Sequence, residues 1–192
     1  MHFSDEFWKK RFGVKIFDLA SLLPTVGIRE VCLDIYWAAF KHSHVFRNMD
    51  VSFLAVVATH MRYDFCLPGD VIFRQNELKS KMIYIVSGVI QVISEVDGET
   101  PIISFSTGTL LGESTLFFSY MNKTDVICST FCEIMVLERR PFHDILSYYP
   151  FQRWYFYRNM KVNTVKPNGG GWVKSLVVHK FKKYGVNNKY IN

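Results

Sequence analysis

The chemistry this chain could do is concentrated in two short runs. Leu110-Leu111-Gly112-Glu113-Ser114 sets a carboxylate beside a glycine, and nine residues after Glu113 comes Asn122-Lys123-Thr124. Glycine lets the backbone adopt conformations closed to other residues and lets a partner come close. A carboxylate at the start of a short helix caps it and suits its positive end. Asn122 offers an amide and Lys123 an ammonium, a point charge for an anion without the planar fork of arginine. Taken alone, Leu111-Gly112-Glu113 reads as a turn glycine followed by a capping acid.

Other reactive residues are scattered. Cys32, Cys66, Cys128 and Cys132 match neither a zinc ribbon nor a redox motif. Their reading is as small buried hydrophobes in a reducing compartment. His42 and His44 flank Ser43 without a second ligand pair, so no metal site is expected. His143-Asp144 and Glu113-Ser114 are adjacent pairs, yet no nucleophile, base and orienter can be assembled from the spacing. Walker and Rossmann glycine patterns are absent. The chain reads as a non-enzyme.

The elements that must position these residues fall into three zones. The first 48 or so residues read as helical, with Phe7-Trp8-Lys9-Lys10-Arg11-Phe12 closed by Gly13. Ile28, Val31, Cys32, Ile35 and Tyr36 then form an apolar stripe at helical spacing. A shorter helix is predicted over Val51–Met61. From 62 to 140, short runs rich in Val, Ile, Phe and Tyr alternate with the turn signals Pro68-Gly69-Asp70, Gly88, Asp97-Gly98, Gly108 and Gly112. Val96-Asp97-Gly98-Glu99 reads as a hairpin turn. Helix signals return over Arg139–Tyr149 and Phe151–Val162, and Pro167 with Gly169-Gly170-Gly171 interrupts the chain near its end. The layout is α+β: an antiparallel, jelly-roll-like β-roll flanked by N-terminal linker helices and C-terminal helices.

Bulk properties narrow the class. About half of the 192 residues are hydrophobic, enough for a sizeable core. No apolar run approaches the ~20 residues that span a bilayer, and Met1–Glu6 lacks the order of a signal peptide. The chain itself is expected to be soluble and cytosolic. The net charge of +6 is uneven: residues 151–192 hold nine bases and no acid. Such a tail suits anionic lipid, nucleic acid or an acidic partner. No helix-turn-helix or aromatic platform pattern accompanies it, so nucleic acid is not expected.

Four stretches in order resemble the cyclic-nucleotide-binding domain family. They are Cys66-Leu67-Pro68-Gly69-Asp70-Val71-Ile72-Phe73-Arg74-Gln75-Asn76, Met82-Ile83-Tyr84-Ile85-Val86-Ser87-Gly88, Leu111-Gly112-Glu113, and Glu138-Arg139-Arg140-Pro141-Phe142 through Tyr148-Tyr149-Pro150. Upstream, Phe7–Gly13, Leu23-Pro24, Ile28-Arg29-Glu30-Val31 and Lys41–Phe46 resemble the linker of hyperpolarisation-activated and cyclic-nucleotide-gated channels. The resemblance implies partial linker helices at 1–48, a cyclic-nucleotide-binding-like domain at 49–162 and a basic tail at 163–192. It further implies a regulatory module on the cytoplasmic face of the plasma membrane. The pore domain and homotetramer contacts would be reached through residues 1–48, with anionic lipid at the tail.

A cyclic nucleotide presents a phosphate, a ribose 2′-hydroxyl and a flat base. By resemblance Gly112 gives the phosphate close backbone approach, Glu113 accepts from the 2′-hydroxyl, and Leu110 and Leu111 form an apolar wall. Ser114, Asn122, Lys123 and Thr124 complete the expected site for cAMP or cGMP, with no other cofactor. The family's arginine, nine residues after the glutamate, is here Asn122, so binding is expected to be weak or degenerate. Family glycines between the second and third strands are replaced by Asn76 and Lys79. A lid is expected within Phe151–Val162, where Trp154, Tyr155, Phe156 or Tyr157 either stack on a base or pack against the roll. The alternative is a ligand-independent interaction domain whose pocket is filled by its own side chains.

Overall fold

The computed structural model describes residues 24–119 and 121–164. The Phe7–Gly13 motif and the basic stretch after Thr164 lie outside the described residues. Helix α1 spans Thr25–His42 and buries Cys32, Tyr36, Ala39 and Phe40 on one face. Lys41 and His42 sit in its last turn, where cations complement the helix dipole. Of the expected stripe, Ile28 and Ile35 are half-buried, whereas Val31 lies at its edge and is exposed. Helix α2, Val51–Ala58, is capped by Asp50, whose side chain accepts from the Phe53 N–H at 3.0 Å. It ends three residues before the expected Met61, because Met61 opens the first strand opposite Leu137.

Eight strands come next: β1 Met61–Cys66, β2 Val71–Phe73, β3 Lys81–Ser87, β4 Val89–Ile93, β5 Pro101–Ser106, β6 Leu110–Leu111, β7 Val126–Cys128 and β8 Cys132–Glu138. They form two antiparallel four-stranded sheets, ordered β1-β8-β3-β6 and β2-β7-β4-β5. The predicted hairpin joins β4 to β5, with Gly98 at φ +70° and the Asp97 carboxylate accepting from the Glu99 and Thr100 N–H groups. Helix α3, Arg139–Tyr148, leaves β8 directly, and α4 spans Pro150–Thr164.

The first sheet is covered on both faces, which explains why its strands show no clean apolar–polar alternation. Met82 and Tyr84 of β3, with Met135 and Leu137 of β8, join a core shared with the helices. Their neighbours Ile83, Ile85, Ile134 and Val136 face the second sheet, meeting Ile72, Phe73, Ile90, Val126 and Cys128 inside the roll. Successive strand residues point to opposite faces, so one sheet serves two cores. The helical core is aromatic. Phe46, Phe142 and Phe156 meet with ring centroids 5.1–5.8 Å apart, and Phe117 lies 4.6 Å from Phe156. Among the described residues, no helix is long and apolar enough to cross a membrane.

Candidate functional site

The Gly112 turn is fixed by its surroundings. Its φ is +81°, and a Cβ there would stand 2.7 Å from the Lys81 carbonyl oxygen. Only glycine meets both conditions without strain. Residues Glu113–Leu116 then make one 3-10 turn, anchored where the buried Thr115 hydroxyl donates to the Lys81 carbonyl at 2.8 Å. Before the turn, Leu110 and Leu111 pair with Tyr84 and Ile83. Leu110 packs against the helical core and Leu111 against the roll interior, so the two face opposite sides of the sheet.

Glu113 reaches out of this turn to the connector between α1 and α2. Its carboxylate accepts from the Ser43 hydroxyl in a short hydrogen bond, and also from the Val45 N–H. Burial pushes the Glu113 carboxyl above the usual carboxylate range, while Ser43, the nearby His44 and the Val45 N–H pull the other way. Ser43 is itself buried, and its oxygen accepts from the N–H groups of Val45 and Phe46 at 3.2 and 3.3 Å. The serine therefore closes the connector turn and holds the acid in one stroke.

The same connector is tied to α4. The Asn159 amide donates to the carbonyls of Val45 and Arg47 at 2.9 and 2.7 Å. Phe156 is fully buried against Phe46, Phe117 and Phe142, and Tyr157 lies 4.3 Å from Phe117. Trp154 and Tyr155 are the exposed pair, at 46% and 38%. Of the four aromatics proposed for a lid, the structure thus packs Phe156 and Tyr157 and leaves two on the surface. The segment after the 3-10 turn is held from α3, where Arg139 donates to the Phe117 carbonyl at 3.2 Å. His143 Nε2 lies 2.6 Å from the Leu116 carbonyl, and burial lowers the His143 pKa.

Asn122 does not join Glu113. It is buried between two loops, its amide donating to the Arg74 carbonyl at 3.0 Å. Its backbone bonds Glu77 and Asn76, each at 2.9 Å, which staples this loop to the β2–β3 loop. The Arg74 carbonyl requires an N–H opposite it, and that fixes which end of the amide faces it. The other end, Oδ1, has no partner among the described residues. Asn76 takes the left-handed backbone, φ +61°, that asparagine tolerates, whereas Lys79 does not. Lys123 is exposed, and Ser114 and Thr124 are half-buried.

Sequence reasoning missed Ser43, although Lys41–Phe46 had stood out as a linker-like stretch. It also missed a grouping of thiols. Cys66 faces Cys132 directly across β1 and β8, and the Cys128 thiol hydrogen-bonds to that of Cys66. The described residues contain no group of His, Cys, Asp and Glu able to hold a metal.

Residues 65–149 match the sequence model of the family described as the cyclic nucleotide-binding domain. It is similar to the potassium/sodium hyperpolarization-activated cyclic nucleotide-gated channel 4 of Oryctolagus cuniculus, 27% identical over 151 residues, covering 77% of this chain and 13% of the relative. The corresponding channel 2 of Mus musculus is 27% identical over 151 residues, covering 77% and 17%. The cyclic nucleotide-gated channel beta-3 of Mus musculus is 23% identical over 148 residues, covering 76% and 21%. The chain thus spans about a fifth or less of these relatives' lengths. A binding-domain family and channel relatives agree with the non-enzyme reading.

Proposed function

We propose that this chain is the cytoplasmic regulatory module of a cyclic-nucleotide-gated or hyperpolarisation-activated-type cation channel. In this reading it takes cAMP or cGMP weakly at the Gly112–Glu113 turn and couples occupancy to a pore through linker helices. The supporting observation is the Glu113 carboxylate, carried by a turn that only glycine can make, inside the segment matched by the family. Glu113 accepts the ribose hydroxyl, and the backbone N–H groups of the turn meet the phosphate beside Ser114, with Lys123 and Thr124 contributing from the loop that follows. The weakness has a cause. The Asn122 amide is committed to Arg74, and a missing charged hydrogen bond costs on the order of 1.5–3 kcal/mol. That corresponds to roughly ten- to hundred-fold in affinity.

Titration calorimetry of the full chain with cAMP and with cGMP tests the reading. Weak heat is expected with at least one nucleotide, abolished by Glu113→Ala. No heat at millimolar concentrations of either overturns ligand sensing. A second reading, a ligand-independent interaction domain, draws on the fact that Ser43 and Arg74 already engage both Glu113 and Asn122. It predicts silence toward nucleotide together with self-association through residues 1–48, as in a homotetramer. A place at the cytoplasmic face of the plasma membrane, with the basic tail on anionic lipid, belongs to the channel reading. Sedimentation with acidic liposomes at low and high salt tests that part.

A further inference from the structure

Three of the four cysteines converge inside the roll, from strands far apart in sequence. The β1–β8 register puts Cys66 opposite Cys132, so both side chains share one face of the first sheet. That face looks toward β7 of the second sheet, where Cys128 is buried in the same cluster. Cys66 alone among the three is part-exposed.

The sulfurs have distinct tasks. The Cys132 thiol lies 3.4 and 3.3 Å from the carbonyls of Val89 and Thr130, which occupy its hydrogen. The Cys128 thiol lies against both of the others, hydrogen-bonding to Cys66, whose influence on it is the larger, and to Cys132. That donation favours thiolate at Cys66 and lowers its pKa, while burial and the charges of Asp64 and Asp70 oppose it and Lys81 assists. The same contact raises the pKa of Cys128, which stays a thiol. A part-exposed thiol whose ionisation is favoured, beside a buried thiol, is the arrangement in which the first is oxidised and the second resolves it.

We propose that Cys66 and Cys128 form a reversible, peroxide-oxidised dithiol that locks the β1–β2 turn to β7. The Cys66 thiolate attacks one oxygen of a hydroperoxide; the O–O bond breaks, and Cys66 becomes a sulfenic acid as the leaving oxygen takes a proton to give water or an alcohol. Cys128 sulfur then displaces the sulfenic hydroxyl, which leaves as water with the Cys128 proton. With hydrogen peroxide the balance is two thiols and one peroxide to one disulfide and two waters. The turn is already half joined to β7, since the Gly69 N–H donates to the Cys128 carbonyl at 2.8 Å and the Cys128 N–H to the Asp70 carbonyl at 2.9 Å. Oxidation adds a covalent bond at a place where the chains already meet.

The test treats the reduced full chain with hydrogen peroxide, counts free thiols and maps peptides without reduction. Trypsin leaves Cys128 and Cys132 on one peptide, so chymotryptic cleavage after Phe131 is needed to separate them. Free thiols should fall from four to two per chain, with a Cys66–Cys128 link that dithiothreitol reverses. In Cys66→Ser thiol loss should slow at least tenfold, and in Cys128→Ala Cys66 should accumulate as a dimedone-trapped sulfenic acid. Should buried Cys128→Ala fail to fold, the part-exposed Cys66→Ser and the peptide map still decide. A link to Cys132, links only between chains, oxidation of Cys66 to sulfinic acid with Cys128 still free, or a Cys66 that resists peroxide each overturns the proposal.

Discussion

Replacing Ser43 with alanine should tighten nucleotide binding while weakening the fold, an unusual pairing of effects that originates in Glu113. The Ser43 hydroxyl donates to the very carboxylate that a ribose 2′-hydroxyl needs. A hydrogen bond to a charged group contributes about 1.5–3 kcal/mol, so a ligand that displaces Ser43 forfeits up to that much. Removing Ser43 lifts the penalty, and affinity for cAMP or cGMP should rise by up to roughly ten- to hundred-fold. The same change deprives the N–H groups of Val45 and Phe46 of their acceptor. Thermal unfolding should therefore show a loss of about 1–3 kcal/mol. Calorimetry and unfolding on the parent, Ser43→Ala and Ser43→Ala with Glu113→Ala separate the two effects. If Ser43→Ala is destabilised as expected and its affinity is unchanged or lower, ligand and serine do not compete for Glu113, and the reasoning fails.

The remaining tests bear on the frame around the site. Gly112→Ala must hold an alanine at φ +81° and push its Cβ against the Lys81 carbonyl, whereas Gly98→Ala at φ +70° meets nothing. Urea unfolding should show a cost of about 1–2 kcal/mol for Gly98→Ala and at least about 1 kcal/mol more for Gly112→Ala; equal costs would contradict the close approach. Phe156→Ala should cost about 3–5 kcal/mol and exposed Trp154→Ala no more than about 0.5 kcal/mol, and the reverse order would mean that α4 sits otherwise. Burial raises the folded-state pKa of Glu113 above its unfolded value of roughly 4.3. Below that unfolded value the carboxyl is protonated in both states; as pH rises from there through the raised folded value, the unfolded chain is already ionised, folding must take up a proton or bury the charge, and stability falls. Glu113→Gln keeps an acceptor oxygen, so its stability relative to the parent should climb as pH rises above the unfolded value and level off once the folded carboxyl is ionised, and a pH-independent difference would remove burial as the cause.

The fold was readable where a pattern is local. Turn residues such as Pro68-Gly69-Asp70 and Asp97-Gly98 mark strand ends because their backbone preferences act within a few residues. The α2 boundary was misplaced because Met61 is drawn out of the helix by pairing with Leu137, seventy-six positions away. Val31 had helical spacing but lies at the edge of the stripe, and spacing alone does not say how wide the covered face is. For the candidate site, glycine at 112 and a carboxylate at 113 were legible as types. Their surroundings were not. Ser43 reaches Glu113 across seventy residues, and Asn122 is claimed by the Arg74 carbonyl of another loop. The Cys66–Cys128 contact joins two sheets, and no linear spacing encodes which strands of a roll face each other.

These long-range ties limit what any ligand could do here. A ligand shifts a conformational balance only through contacts that differ between its two states. The 43–50 connector supplies such contacts, because Ser43 and Val45 hold Glu113 on one side and Asn159 of α4 holds Val45 and Arg47 on the other. A ribose hydroxyl that took Glu113 would leave the buried Ser43 hydroxyl and Val45 N–H to find new partners. Val45 also carries the carbonyl that Asn159 uses, so the connector cannot rearrange without disturbing α4. The bias available through the serine contact is bounded by its own strength, about 1.5–3 kcal/mol, or roughly ten- to hundred-fold in population. Full transfer of a two-state balance from one side to the other needs about 5.5 kcal/mol. One such contact per chain therefore modulates a balance that already lies near the middle, and does not throw a switch alone. Several chains acting on one shared equilibrium would add their biases, which is the physical advantage that a ring of such modules would have over a single one.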